Sequence, residues 1–159
     1  MGDARVRIFA LHPAAALGIA LLLSACAGPP KPASVTGTIQ ASAQVNPSAS
    51  KRPSPLLVRI YELKSAAGFN AADFMSLYQR DQAELAADML AKEEFVLSPG
   101  ETKTFAKTLA ADTRFLGIVA AYRDLEHAKW RTLVAVEPGQ AQKVTVNAGE
   151  LAVEAKISK

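Results

Sequence analysis

Apolar and polar positions alternate with period two through most of the chain after residue 34, which predicts short β-strands. Val35, Ile39, Ala41, Ala43 and Val45 fall on one face of a first strand. Leu56, Val58 and Ile60 share a face of a second, Leu56 to Tyr61. The same pattern predicts strands over 93–97, 102–109, 115–122, 130–136, 143–146 and 151–157. Ser98-Pro99-Gly100-Glu101 and Glu137-Pro138-Gly139-Gln140 each place Pro second and Gly third. That order suits a type II turn, whose third residue takes positive φ. Asn147-Ala148-Gly149 is a further turn signal. Eight short strands punctuated in this way predict a mainly β chain folded as an eight-stranded sandwich.

One stretch breaks the alternation. From Phe69 to Leu90, apolar residues fall at helical spacing: Phe74, Leu77, Tyr78, Leu85 and Met89. Asn70 is placed to cap the start, with Phe69 and Phe74 at the positions of a hydrophobic staple. Asp81 and Glu84 form a second cap-like pair before Leu85. The pattern reads as two short helices broken near Asp81, or as one kinked helix, inserted between the second and third strands at about residues 69–90.

The first residues carry a different signal. Arg5 and Arg7 precede an apolar run, Ala14 to Leu23, which leads directly into Leu23-Ser24-Ala25-Cys26. A basic start, a short apolar core and small residues at a cleavage point predict a secretory signal peptide over 1–25. The run is shorter than the ~20 residues that span a bilayer. Leu-Ser-Ala-Cys resembles the bacterial lipobox. The resemblance implies diacylglycerol on the Cys26 thiol, cleavage before it and an acyl chain on the new amino group. One acyl chain holds a protein only marginally, so firm anchoring takes two or more. Cys26 is the only cysteine, so once acylated the mature chain has no thiol left for a disulfide. Cys26 to Ala33, rich in Pro and Gly, reads as an extended tether. Eight residues reach about 25 Å at most, which keeps the folded domain, 34–159, close to the membrane.

Charge excludes little beyond nucleic acid. The whole chain has a net charge of +3, and removing Arg5, Arg7 and Asp3 leaves 16 basic against 14 acidic side chains. A net charge this small does not by itself argue for nucleic acid or an anionic surface. Catalytic parts are also scarce. His127 is the only histidine after the signal segment, too few for a His-based zinc site. Asp124 stands near it, but no nucleophile-elbow Gly-x-Ser-x-Gly accompanies them. Glu93 and Glu94 are adjacent on a strand, so they point to opposite faces and cannot converge on one substrate. The glycines are scattered, with no phosphate-binding loop. We therefore expect no enzyme activity, no cofactor and no metal.

Two features remain as binding candidates. Trp130-Arg131 and Tyr122-Arg123-Asp124 read either as a buried aromatic with an arginine–carboxylate brace near the sandwich end or as an exposed anchor, since Trp, Tyr and Arg dominate interface hot spots. The loop Asn46-Pro47-Ser48-Ala49-Ser50-Lys51-Arg52-Pro53-Ser54 is longer than the two to five residues of a typical hairpin connection. It is either a binding loop on a rigid scaffold or a plain crossover between sheets.

The ordered set of motifs is more specific than any one of them. Asn46-Pro47, Arg52-Pro53-Ser54-Pro55 running into Leu56-Leu57-Val58-Arg59-Ile60-Tyr61-Glu62-Leu63-Lys64, Ala72-Asp73-Phe74, Leu77-Tyr78, Asp88-Met89-Leu90, Ser98-Pro99-Gly100-Glu101, Leu116-Gly117-Ile118-Val119-Ala120-Ala121-Tyr122-Arg123-Asp124 and Trp130-Arg131 resemble the TssJ (SciN/VasD) family of type VI secretion lipoproteins. The resemblance implies a transthyretin-like β-sandwich with an added helical element. It implies a lipoprotein of the outer membrane, facing the periplasm, and Ala27 rather than Asp after the cysteine agrees with that sorting. It implies binding to the periplasmic domain of TssM, in a complex that also contains TssL, through the loop Asn46 to Ser54. One position departs from the pattern: Lys51 stands where a small turn-forming residue, often Gly, is expected, and lysine resists positive φ. A lipoprotein whose sandwich binds a glycan or peptide is the alternative. Low aromatic content, 6%, weighs against it.

Overall fold

The computed structural model describes residues 31–159. The expected signal segment 1–25, Cys26 and most of the expected tether lie outside the described residues. The strands are β1 Ser34–Ala41, β2 Leu56–Leu63, β3 Met89–Leu97, β4 Thr102–Thr108, β5 Phe115–Ala120, β6 Arg131–Ala135, β7 Ala141–Ala148 and β8 Val153–Ser158. They form two four-stranded sheets, ordered β4-β1-β7-β8 and β3-β2-β5-β6. Every pairing is antiparallel except β1 with β7. Helices α1 (Ala67–Ala71) and α2 (Phe74–Leu85), then a 3-10 turn Ala86–Asp88, lie between β2 and β3.

Alternation places Val35, Ile39, Leu56, Val58, Ile60, Leu116, Ile118, Val144 and Val146 between the sheets, where they form the main core. Gly37 also faces inward. A Cβ there would lie 2.1 Å from the Phe105 ring, so only glycine leaves room for that side chain. Both proline-glycine turns take the conformation their sequences require, with φ of 78° at Gly100 and 71° at Gly139.

The outer face of β2 is also apolar, because the helices cover it. Tyr61, Leu63, Phe69, Leu77, Leu85 and Val119 form a second core there. Arg131 on β6 holds α1 down, donating from Nη1 to the carbonyls of Phe69 (2.9 Å) and Ala72 (2.7 Å). Its guanidinium also lies 4.8 Å from the Trp130 ring centre. The arginine brace is therefore present, but it reaches helix carbonyls rather than a carboxylate.

Several boundaries differ from the expected ones. The first strand stops at Ala41. Ser42 starts a turn in which its carbonyl accepts from Val45 (3.1 Å) and from Gly100 (3.1 Å). Ala43 is consequently exposed, while Val45 re-enters the core. Ala33, read as tether, is buried, and its carbonyl accepts from the Leu109 N–H at 2.8 Å. The helical insertion covers 67–88 rather than 69–90, and Met89 opens β3. Asp73 caps α2 instead of Asn70, accepting from the Ser76 N–H at 2.9 Å. Asn70 lies inside α1, so Phe69 and Phe74 form no staple. The expected break near Asp81 is present: Arg80, with φ of −135° and ψ of 27°, is non-helical and divides α2 into two short helical stretches that meet at a kink, and α1 precedes them as a further short helix.

The kink is pinned from the sheet. Arg59 donates to the carbonyls of Leu77 (3.3 Å) and Tyr78 (2.7 Å) and to Glu94 (2.6 Å). Asp81 receives Lys92 Nζ (2.7 Å), the Tyr61 hydroxyl (3.2 Å) and the Gln82 N–H (2.8 Å). Burial pushes the Asp81 carboxyl up, but these donors outweigh it and hold it below its ordinary 3.8. Burial pushes the Tyr61 hydroxyl up to about 12. A carboxyl depressed in the folded state stabilises the fold above its unfolded pKa, and that contribution fades as pH falls through the folded value. Urea unfolding between about pH 6 and pH 3 should show a smaller loss of stability on acidification for Asp81→Asn than for the natural chain.

Glu62 is a second buried carboxylate, 3% exposed, on the inward face of β2. It bridges the sheets, accepting from Lys107 Nζ of β4 (2.7 Å), the Ala110 N–H (2.8 Å) and Thr113 Oγ1 (3.0 Å). Burial disfavours the Lys107 cation, but Glu62 and Glu93 outweigh this and raise its pKa.

Candidate functional site

The loop Asn46–Ser54 crosses from β1 in one sheet to β2 in the other, and that crossing accounts for its length. Its base is fixed by Asn46. This residue is 3% exposed and takes φ of 51°, a left-handed conformation that Asn tolerates better than most residues. Its Nδ2 donates to the Pro55 carbonyl (2.8 Å), and its Oδ1 accepts from the Arg123 N–H (2.8 Å). Its backbone N–H donates to the Glu150 carbonyl (3.0 Å). One side chain and its own amide thus join three loops. Ser54 N–H closes the base on the Val45 carbonyl at 3.1 Å.

Ser48 organises the tip. Its carbonyl accepts from the Lys51 N–H and its own N–H donates to the Arg52 carbonyl, both at 2.8 Å. Its hydroxyl accepts from the Arg52 N–H (3.2 Å) and lies 3.0 Å from Ser50 Oγ. Ala49, Ser50, Lys51, Arg52 and Pro53 are exposed, Pro47, Ser48 and Ser54 are half-buried, and Asn46 is enclosed. The loop therefore offers a small-residue tip, two cations and a proline from a hydrogen-bonded frame.

Lys51 adopts the left-handed conformation despite its side chain, with φ of 61°. The strain is accepted because the Ser48 turn requires it. A left-handed L-residue costs about 1–2 kcal/mol, and glycine avoids that while losing more chain entropy on folding. Lys51→Gly should consequently raise the urea midpoint by a stabilisation of about 0.5–1 kcal/mol.

Residues that local spacing did not join to this loop border it in space. A hollow of about 480 Å³ beside the loop is lined by Pro47, Ser48, Ala49, Lys51, Arg123, Asp124, Glu150 and Leu151. Arg123 is exposed, and its backbone N–H reaches the side chain of Asn46, 77 positions away. The Tyr122-Arg123-Asp124 motif was the available signal. Tyr122 is buried, donates to the Gly149 carbonyl at 3.2 Å, and is held well above an ordinary tyrosine pKa by burial. Asp124 bonds His127 Nδ1 at 2.8 Å. That bond first, and the Lys51 charge more weakly, depress the Asp124 carboxyl. The pair is exposed and closes a turn. Glu93 and Glu94 do diverge, toward Lys107 and Arg59 respectively. Among the described residues, no group of three or more His, Cys, Asp or Glu could hold a metal, and no helix is long and apolar enough to cross a membrane.

The two ends of the sandwich are distinct. The 98–101 turn, the 121–130 connection and the 149–152 turn gather around the loop, through the Gly100–Ser42, Arg123–Asn46 and Asn46–Glu150 bonds. The chain enters β1 at the opposite end, where Ser34 N–H donates to the Gln140 carbonyl at 3.0 Å. The eight residues of β1 separate these ends by about 25 Å.

Residues 33–151 match the family model T6SS-SciN, the type VI secretion lipoproteins that include VasD, EvfM and TssJ. The chain belongs to this family. The fold agrees. The crystal structure of the T6SS lipoprotein TssJ1 from Pseudomonas aeruginosa is 36% identical, covering 80% of this chain and 98% of that one, with a TM-score of 0.77. Lip from Serratia marcescens, a membrane-bound component of the type VI secretion system, is 27% identical over 77% of this chain and 96% of its own, with a TM-score of 0.71. A chain of a type VI membrane complex is 26% identical over 79% of this chain and 98% of its own, with a TM-score of 0.64. No curated protein sequence matches. This type VI secretion lipoprotein, an eight-stranded sandwich with its helical element between the second and third strands, is thus similar in fold to these relatives.

Proposed function

We propose that this type VI secretion lipoprotein is a two-ended adaptor with no catalytic role. It is acylated at Cys26, sits on the periplasmic face of the outer membrane, and binds the periplasmic domain of TssM, in a complex with TssL, through the loop Asn46–Ser54. The observation that carries this reading is the placement of the loop. It projects as a rigid, hydrogen-bonded platform from the end of the sandwich opposite the tether. A relative of this fold belongs to a type VI membrane complex, which supports the assignment of a partner. Within the loop, Asn46 acts as the positioning residue, and the exposed stretch from Ala49 to Pro53, with Arg123 beside it, supplies the contact surface. A standard interface buries about 800 Å² per partner, more than one loop tip offers, so neighbouring turns must contribute.

Titration of the mature domain with the periplasmic domain of TssM tests this. Lys51→Glu with Arg52→Glu should weaken binding at least tenfold, about 1.4 kcal/mol, with the urea midpoint unchanged. Unaltered affinity would remove the loop from the interface.

A further inference from the structure

The tether end of the sheet β4-β1-β7-β8 carries a cationic corner that the adaptor reading leaves unused. Lys31 and Lys143 are exposed there, Lys156 is exposed midway along the same face, and none of the three has an ion-pair partner among the described residues. Lys31 packs its stem beside Gly139, whose added Cβ would stand 3.2 Å from Lys31 Cβ. Lys143 lies between Thr36 of β1 and Ser158 of β8. Lys156, opposite Thr145, is its diagonal neighbour on the same face, about 7–8 Å away. Around them the outer face is hydroxyl-rich: Ser34, Thr36, Thr108 and Ser158. Glu137 is held by Lys159 at 2.9 Å. Glu154 lies opposite Asn147, toward the far end of β8.

We propose that this corner docks on an anionic phospholipid surface, which fixes the orientation of the sandwich on its anchor. The inference rests on acylation of Cys26. From Cys26 to the buried Ala33 the chain spans at most about 25 Å, and it enters the fold at the end bearing these lysines. The bilayer is therefore held within reach of them, and the contact is intramolecular. A few weak charges then suffice, because a short tether supplies an effective concentration of order mM. Each basic side chain near an anionic surface shifts the docked-to-free ratio about fivefold, and three together about a hundredfold. Docking would turn the loop Asn46–Ser54 away from the membrane, roughly the length of β1 above it.

The acylated protein on vesicles reads this directly. With Cys26 acylated, Thr36→Cys or Ala49→Cys provides a unique thiol for a donor dye, with acceptors in the lipid headgroups. On vesicles containing phosphatidylglycerol, at low salt, the Thr36 label should show more transfer, and the Ala49 label less, than on neutral phosphatidylcholine. Lys31→Glu, Lys143→Glu and Lys156→Glu together should abolish the difference, as should about 0.5 M salt, where the Debye length falls to about 4 Å. Identical transfer on both lipids from protein shown by mass spectrometry to be acylated overturns the docking alone. Protein recovered with an unmodified Cys26 overturns the anchor reading, and the docking falls with it.

Discussion

Phe69→Ala should lower the stability of this protein by about 3–5 kcal/mol, the cost of deleting a buried aromatic ring. Phe69 is 1% exposed and lies under α1, with its ring centre 6.0 Å from that of Tyr61. Opposite it stands Gly117, where a Cβ would approach the Phe69 ring to 2.8 Å and Leu63 to 2.9 Å. The ring thus occupies space that a glycine leaves open in the sheet. Removing it leaves a cavity beneath a five-residue helix that has little else to hold it, apart from the Arg131 bonds. Gly117→Ala alone should cost about 1–3 kcal/mol, because the same space becomes overfilled. Combined with Phe69→Ala it should cost less, since the added methyl enters the void. Neighbouring sites that share a cavity are non-additive in this way. Denaturant midpoints of the four proteins measure the coupling. Because the second core lies on the outer face of β2, affinity for the partner should be unchanged in whatever fraction remains folded.

Asn46→Ala should have the largest effect on the loop, about 2–4 kcal/mol of stability with a parallel loss of partner affinity. The Arg123 N–H and the Pro55 carbonyl lose their side-chain partner in a place where the residue is enclosed. Leaving a buried polar group unpaired costs about 1–3 kcal/mol, and alanine tolerates the φ of 51° less well than asparagine. Asn46→Asp separates the two bonds: it keeps the Oδ1 acceptor and loses the Nδ2 donor. It should retain part of both stability and binding. Calorimetric titration with urea unfolding of the same samples checks this. Affinity that stays constant while stability falls would show that the loop frame is structural only.

Much of the fold is legible in the sequence because its signals are local. Alternation finds the strands, and Gly100 and Gly139 mark turns that only positive φ can make. The misread boundaries arise where local pattern and tertiary packing disagree. Ala43 and Val45 continue the period of β1, but the strand must end where the 98–101 turn folds over Ser42. Asn70 and Asp73 are both competent caps, and burial of Phe69 under α1 decides for Asp73. Glu62 continues the inward face of β2 after Val58 and Ile60, yet it is charged. Its partners Ala110 and Thr113 lie 48 and 51 positions away, beyond any local signal. The candidate loop was legible by its length and its motif. Its frame was not, because the contact that fixes it, Asn46 to Arg123, is formed only by the assembled sandwich.

An adaptor that joins a membrane to a protein partner through opposite ends must carry that partner to lipid. Recruitment of a soluble TssM periplasmic fragment to vesicles bearing the acylated protein measures this. The natural chain should carry the fragment to the vesicles. Cys26→Ser should bind it equally well in solution and leave it there. Recruitment by Cys26→Ser at the level of the natural chain would rule out a lipid-anchored adaptor, as would failure of the acylated protein to recruit the fragment at all.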